Sequence, residues 1–150
     1  MANTYTSLYY HIIFSTRNRV GWIQPEIERR IWAYLGGIAR KNTMTALLVG
    51  GTDNHIHALI VAPPKLSPSK IAQLLKGDSS LWIHTEFPSL RDFAWQVGYG
   101  AFTVSKSSIF DVMGYIQNQR EHHKNKTFQE EYLEFLNKHE IEYDERYVWG

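Results

Sequence analysis

Cysteine is absent from these 150 residues. That excludes disulfides, thiolate metal sites and cysteine nucleophiles together, and makes a reducing cytoplasm the expected home. No run of about 18 apolar residues occurs, so no membrane-spanning helix and no membrane partner are expected. The opening Met1-Ala2-Asn3-Thr4-Tyr5 lacks the basic stretch and apolar core of a secretory leader. Internal repeats, low-complexity tracts and linkers are also missing. What is there, with 43% hydrophobic residues, is one domain over 1–150, long enough to bury about two-thirds of its unfolded surface. With thiolates gone, the seven histidines lead among the borderline metal ligands.

The net charge of +1 conceals an asymmetry. Residues 1–126 hold 14 Lys and Arg against 8 Asp and Glu, whereas residues 127–150 hold 2 against 7. A body of +6 and a C-terminal segment of −5 fit an electrostatic footprint for phosphate, with the acidic segment expected to turn away from it.

Alternation over Tyr5–Thr16 predicts a first strand, with His11 in its middle as a core histidine. Pro25 opens a helix whose Ile27, Ile31, Tyr34, Leu35 and Ile38 recur on one face. A short strand over Thr43–Val49 and another over Asn54–Val61, separated by Gly50-Gly51, form an antiparallel pair. Ser67-Pro68 caps a second helix whose Ile71, Leu74, Leu75 and Trp82 form the buried stripe. Arg91–Ser105 reads as strand again, through the alternating Phe93, Trp95, Val97, Phe102 and Val104, followed by more helix. This order is the split β-α-β pattern of an α+β, ferredoxin-like (RRM-like) fold. It has an antiparallel sheet, helices packed on one face, and additional C-terminal helices.

Two stretches carry chemistry. In Asp53-Asn54-His55-Ile56-His57-Ala58-Leu59, a strand sends His55 and His57 to one face and Ile56 to the other, so the two imidazoles converge. Alone, the motif also fits two half-exposed histidines that bind nothing. From Ser107 to Lys126, a helix capped by Ser107 or Ser108 has Ile109, Val112, Met113 and Ile116 toward the core. Tyr115 and Gln119 stand one turn apart on its flank, with His122 continuing that side. Alone, that is an amphipathic helix with a half-buried tyrosine. Together, two strand histidines and the Gln119 oxygen make a mixed nitrogen and oxygen set that suits Mg2+ or Mn2+ in phosphoryl chemistry. Tyr115 beside such an ion becomes a candidate nucleophile.

His55-Ile56-His57 followed by Tyr115-Ile116-Gln117-Asn118-Gln119 closely resembles the single-tyrosine HUH transposases of bacterial insertion sequences and their REP-associated relatives. Tyr10-His11-Ile12-Ile13-Phe14-Ser15-Thr16, Leu75-Lys76-Gly77, Trp95-Gln96-Val97-Gly98-Tyr99-Gly100 and Glu121-His122-His123 share that likeness. The resemblance implies an enzyme that cleaves single-stranded DNA near imperfect hairpins at element ends. Its Tyr115 would form a 5′-phosphotyrosine and release a 3′-hydroxyl that later rejoins strands. It also implies His55, His57 and Gln119 as metal ligands and a homodimer in which active sites can be shared between subunits. Arg17, Arg19, Lys76 and Lys106 follow as DNA phosphate contacts, and His122 or His123 as competitors of Gln119. Ala58 departs from the bulkier apolar residue common after the histidine pair. The alternatives are a non-catalytic single-strand nucleic-acid-binding module on the same fold, with Trp95 or Tyr99 as stacking platforms, and a histidine-dependent phosphoesterase.

Overall fold

The alternation along three of the predicted strands builds one antiparallel sheet. In the computed structural model, which describes residues 3–150, the strands are β1 (Tyr9–Ser15), β2 (Thr45–Gly51), β3 (His55–Val61) and β4 (Gly100–Thr103). Met1 and Ala2, which open the stretch read as lacking a leader pattern, lie outside the described residues. Spatial order is β2-β3-β1-β4, with β1 at the centre paired to both β3 and β4. This is the ferredoxin-like arrangement expected.

Helices α1 (Pro25–Lys41) and α2 (Pro68–Glu86) cover one face. Pro25 supplies a preset first turn for α1, and Glu26 and Glu28 at its start and Arg40 and Lys41 at its end complement the helix dipole. Ser67 caps α2 by accepting from the Lys70 amide at 3.1 Å. Ile12, Phe14, Ile56, Ala58 and Ile60 point from the sheet into this layer, against Ile31, Leu35, Ile38, Ile71 and Leu75. The intervening residues of the same strands, among them His11, Ile13, His55, His57 and Leu59, face the other way. There they meet α3 (Ile109–Gln117), α4 (Gln119–His122) and α5 (Phe128–Lys138). The histidine pair is therefore sandwiched, not half-exposed.

Three local expectations are corrected. Of the strand predicted over Arg91–Ser105, only Gly100–Thr103 joins the sheet, apart from a single bridge between Thr16 and Trp95. Phe93 and Trp95 enter the α1–α2 core, and the Trp95 indole N–H donates to Ser79 Oγ at 2.9 Å, so Trp95 is no stacking platform. The carbonyls of Gln96 and Val97 accept from Lys76 Nζ, each at 2.9 Å, as does that of Gly98, which removes them from any ladder. Nor does the tyrosine helix run on to Lys126. It breaks at Asn118, whose φ of −95° and ψ of 17° separate α3 from α4. Finally, the acidic segment does not turn away: α5 lies on the histidine face of the sheet, through Phe128, Tyr132 and Leu136.

Gly50 brings the tyrosine helix close. A Cβ there would lie 2.9 Å from Ile116 Cγ2 and 3.0 Å from the Ile116 carbonyl oxygen, so only hydrogen fits between β2 and α3. Gly50→Ala is expected to push α3 outward and cost about 1–3 kcal/mol, the range for overpacking. A thermal unfolding midpoint unchanged from the parent would overturn that reading of the contact.

Candidate active site

The site assembles from β3, the α3–α4 break and α5. His55 and His57, two apart on β3, project together between the C-terminal helices, with ring centroids 5.1 Å apart. Gln119, which opens α4 just past the irregular turn at Asn118, is buried, and its Oε1 lies 2.8 Å from His55 Nε2 and 3.0 Å from His123 Nε2.

Glu131, on the first turn of α5, sits at the centre and is only 1% exposed. Its Oε1 is 3.0 Å from His57 Nε2, 3.6 Å from His55 Nε2 and 3.1 Å from His123 Nε2. Its Oε2 accepts from Gln119 Nε2 at 3.0 Å and from the Tyr115 hydroxyl in a short hydrogen bond. His122 Nε2 lies 3.3 Å from the same hydroxyl. His55, His57, Tyr115 and Gln119 meet here as their spacing predicts, and Glu131 joins them without a motif to announce it. The signal available was the first-turn position of Glu131 beside Phe128 and Tyr132, a carboxylate on the apolar face of a short amphipathic helix.

Burial dominates the electrostatics. It lowers the His55 pKa from its ordinary 6.5 to about 3, with His57 close by adding to the effect. Burial alone would raise Glu131, but the hydrogen bonds from His123 and His57 override it and hold the carboxyl far below the usual carboxylate range. Burial also lowers His123, and its hydrogen bond to Glu131 outweighs that and leaves its pKa raised. The Tyr115 phenol is pushed well above its ordinary 10 by burial first and by Glu131 second.

His55, His57 and Glu131 each offer one donor atom within 4.8 Å of the others, a group able to hold a metal ion. Two imidazoles, that of His55 kept neutral by burial, and an ionised carboxylate suit such an ion, and the Gln119 oxygen beside them adds a hard donor.

The expected phosphate contacts lie outside this cluster. Arg17 is exposed in the helical turn Arg17–Arg19. Arg19 is partly covered: it donates to the Trp149 carbonyl at 2.9 Å and its guanidinium lies 5.6 Å from the Trp149 ring. Lys106 is exposed, its ammonium 5.7 Å from the Tyr9 ring. Lys76 is turned inward onto the three carbonyls named above, which occupy its three donors. A cavity of about 720 Å³ adjoins the cluster through His123 and is lined also by Asn18, Arg19, Asn54, Arg120 and Lys126.

The family described as IS200-like transposases matches residues 4–119. A transposase for insertion sequence element IS200 from Salmonella typhimurium is 32% identical over 130 residues, 83% of this chain and 84% of that protein. The ISDra2 transposase TnpA of Deinococcus radiodurans is 24% identical over 119 residues, 76% of this chain and 85% of that one. Among solved structures, a putative transposase from Deinococcus radiodurans superposes with a TM-score of 0.65 at 25% identity, over 79% of this chain and 96% of its own. A REP-associated tyrosine transposase bound to a REP hairpin shares the fold, with a TM-score of 0.59 at 13% identity, over 82% of this chain and 73% of its own.

The buried histidine makes stability depend on acid. The unfolded chain takes up the His55 proton near pH 6.5 and the folded chain only near 3, so the stability due to neutral His55 is complete above about 6.5 and is lost as pH falls toward 3. Glu131, depressed below its ordinary 4.5, adds loss in the same direction at lower pH. In chelator-treated protein the thermal midpoint is expected to fall steadily between about pH 7 and pH 4. A flat profile over that range would refute a buried neutral His55.

Proposed function

The chain belongs to the IS200-like transposases, and from that premise we propose that it cleaves and rejoins single-stranded DNA through Tyr115. The observation that carries this is the convergence of Tyr115, His55, His57 and Gln119 on one buried carboxylate, Glu131. His55 and His57 would hold a divalent cation, Mg2+ or Mn2+, with Glu131 and Gln119 as the oxygen donors. When bound, the ion polarises a scissile phosphate and offsets charge developing on its oxygens.

The chain's own groups do the rest. Tyr115 Oη attacks phosphorus, the bond from phosphorus to the 3′ oxygen breaks, and the products are a 5′-phosphotyrosine and a free 3′-hydroxyl. Glu131 Oε2 orients the phenol by accepting its hydrogen bond. His122, its Nε2 3.3 Å from the phenol oxygen and its pKa lowered by burial, is the acceptor in place for the proton and can return it to the departing 3′ oxygen. In the reverse sense a 3′-hydroxyl attacks the phosphotyrosine and restores Tyr115, so no external energy source is consumed. The raised pKa of Tyr115 keeps the resting nucleophile protonated.

The substrate is single-stranded DNA carrying a hairpin; the REP-associated neighbour of the same fold was solved bound to a REP hairpin. The cavity beside His123 leads to the cluster, and the strand's phosphates would compete there with Glu28 for Arg120 and with Glu134 for Lys126, each now paired at 2.6 Å. Arg17 and Lys106 remain exposed cations able to meet phosphate further along. Among the described residues no helix is long and apolar enough to cross a membrane.

Incubation with hairpin-bearing single-stranded DNA and Mn2+ is expected to give a covalent protein–DNA adduct on a denaturing gel. Tyr115→Phe and His57→Ala should each reduce it by about 10³-fold or more, the scale for loss of a nucleophile or its activation. An adduct that survives Tyr115→Phe would sink the assignment. DNA retarded without any adduct would favour a plain binding module.

The resemblance also implies a homodimer. In one chain Tyr115 already reaches the carboxylate bonded to the histidines, which supports a site completed within a single subunit. Mixing Tyr115→Phe with His57→Ala protein is accordingly expected to restore no adduct. Recovery of a quarter or more of the parent yield would instead place nucleophile and histidines on different subunits.

A further inference from the structure

His11 lies on β1 among the buried side chains of the histidine face and takes no part in the cluster around Glu131. Strand β1 pairs with β3 so that His57 opposes Ile13, which makes His11 the diagonal neighbour of His57 on the same face. Its Nε2 is 2.7 Å from His57 Nδ1, the nitrogen turned away from the cluster. The ring is held edge-on to Phe135 at 5.2 Å and to Tyr115 at 6.4 Å. It is 3% exposed, so water does not compete for the contact.

The hydrogen bond has a direction that must change. Here His57 Nε2 faces Glu131 Oε1 at 3.0 Å, and an ionised carboxylate only accepts, so Nε2 carries the hydrogen. His57 Nδ1 then accepts, and His11 Nε2 donates. A metal-ligating imidazole needs the opposite arrangement: a lone pair on Nε2 and a hydrogen on Nδ1 that is donated to a partner. His11 must then accept. An imidazole nitrogen can serve either way, and an amide can by turning over, but a hydrocarbon side chain can do neither. His55 is supported in the same ambivalent manner, its Nδ1 lying 3.0 Å from the Thr52 hydroxyl and 2.9 Å from Asn54 Oδ1.

We propose that His11 is the positioning residue for His57, its Nε2 switching from donor to acceptor so that His57 can turn a lone pair toward a divalent cation. This rests on the reading of His57 as a metal ligand and adds the residue that sets its tautomer. Outer partners of this kind typically contribute 10- to 100-fold in metal affinity.

Calorimetric titration of the full chain with Mn2+ tests it, without DNA and with thermal unfolding as a control on the fold. His11→Phe is expected to weaken Mn2+ binding about 10- to 100-fold, and His11→Gln, which keeps a group able to donate or accept, by about three-fold or less. Parent-like binding by a folded His11→Phe would overturn the proposal, as would equal losses in both variants, which would mean that the ring acts only by packing. His57→Ala separates the two levels. If it leaves Mn2+ binding intact, the ligand assignment itself fails; if it weakens binding and His11→Phe does not, only the role of His11 fails. A second measurement needs no variant: ring-nitrogen NMR of the parent chain, with and without Mg2+. The hydrogen of His57 is expected on Nε2 without the ion and on Nδ1 with it, and His57 unchanged between the two states while binding Mg2+ would also overturn the proposal.

Discussion

One buried carboxylate organises the site. An ionised Glu131 in a nearly dry interior is tolerable only because every lone pair it presents has a partner, since an unpaired buried charge would cost several kcal/mol. His57 and His123 meet Oε1, and Gln119 and Tyr115 meet Oε2. Those four partners come from β3, α3, α4 and the turn after α4. The need to satisfy one side chain therefore ties the C-terminal helices to the sheet. Tyr115 and Gln119, four residues apart on either side of the irregular turn at Asn118, reach the same carboxylate oxygen from one side of the helical segment.

The sheet that carries this cluster was legible because period-2 alternation is a direct consequence of strand geometry. In β1 and β3 both faces are buried, and the apolar residues toward α1 and α2 alternate with histidines toward the other side. That pattern revealed the common face of His55 and His57 before any tertiary contact was known. The helix of Tyr115 was legible from Ile109, Val112 and Ile116, and the family from the histidine pair and Tyr-x-x-x-Gln together. The family match over residues 4–119 agrees.

What the pattern hid is equally physical. Phe93-x-Trp95-x-Val97 alternates like a strand, yet its carbonyls bond to a lysine from α2, a contact between residues 20 to 22 apart that no local periodicity encodes. The same contact turned Lys76 from a surface cation into an internal clamp. Glu131 was hidden by composition. In a segment with seven acids and two bases, one more glutamate reads as solvated surface, and net charge says nothing about which acid is buried. Only its position among Phe128, Tyr132 and Leu136, on the inward side of α5, distinguishes it.

The balance of charge in the cluster explains why a cation suits it. With His55 neutral, Glu131 brings one negative charge into a low-dielectric space, where its interactions are strongest. In the chain as it stands, the partner placed to offset it is His123, both of whose ring nitrogens face oxygens, the Lys126 carbonyl at 2.6 Å and Glu131 Oε1 at 3.1 Å, and whose pKa is raised despite burial. A divalent ion held by His55, His57 and Glu131 would take over the role of His123 at Oε1 and leave excess positive charge in the site. That excess is what a phosphodiester requires. It would also offset the field at Tyr115, where burial first and the carboxylate second now favour the neutral phenol. Resting stability and the chemistry proposed for the site thus depend on the same carboxylate, which His123 meets now and a metal would meet in the proposed reaction.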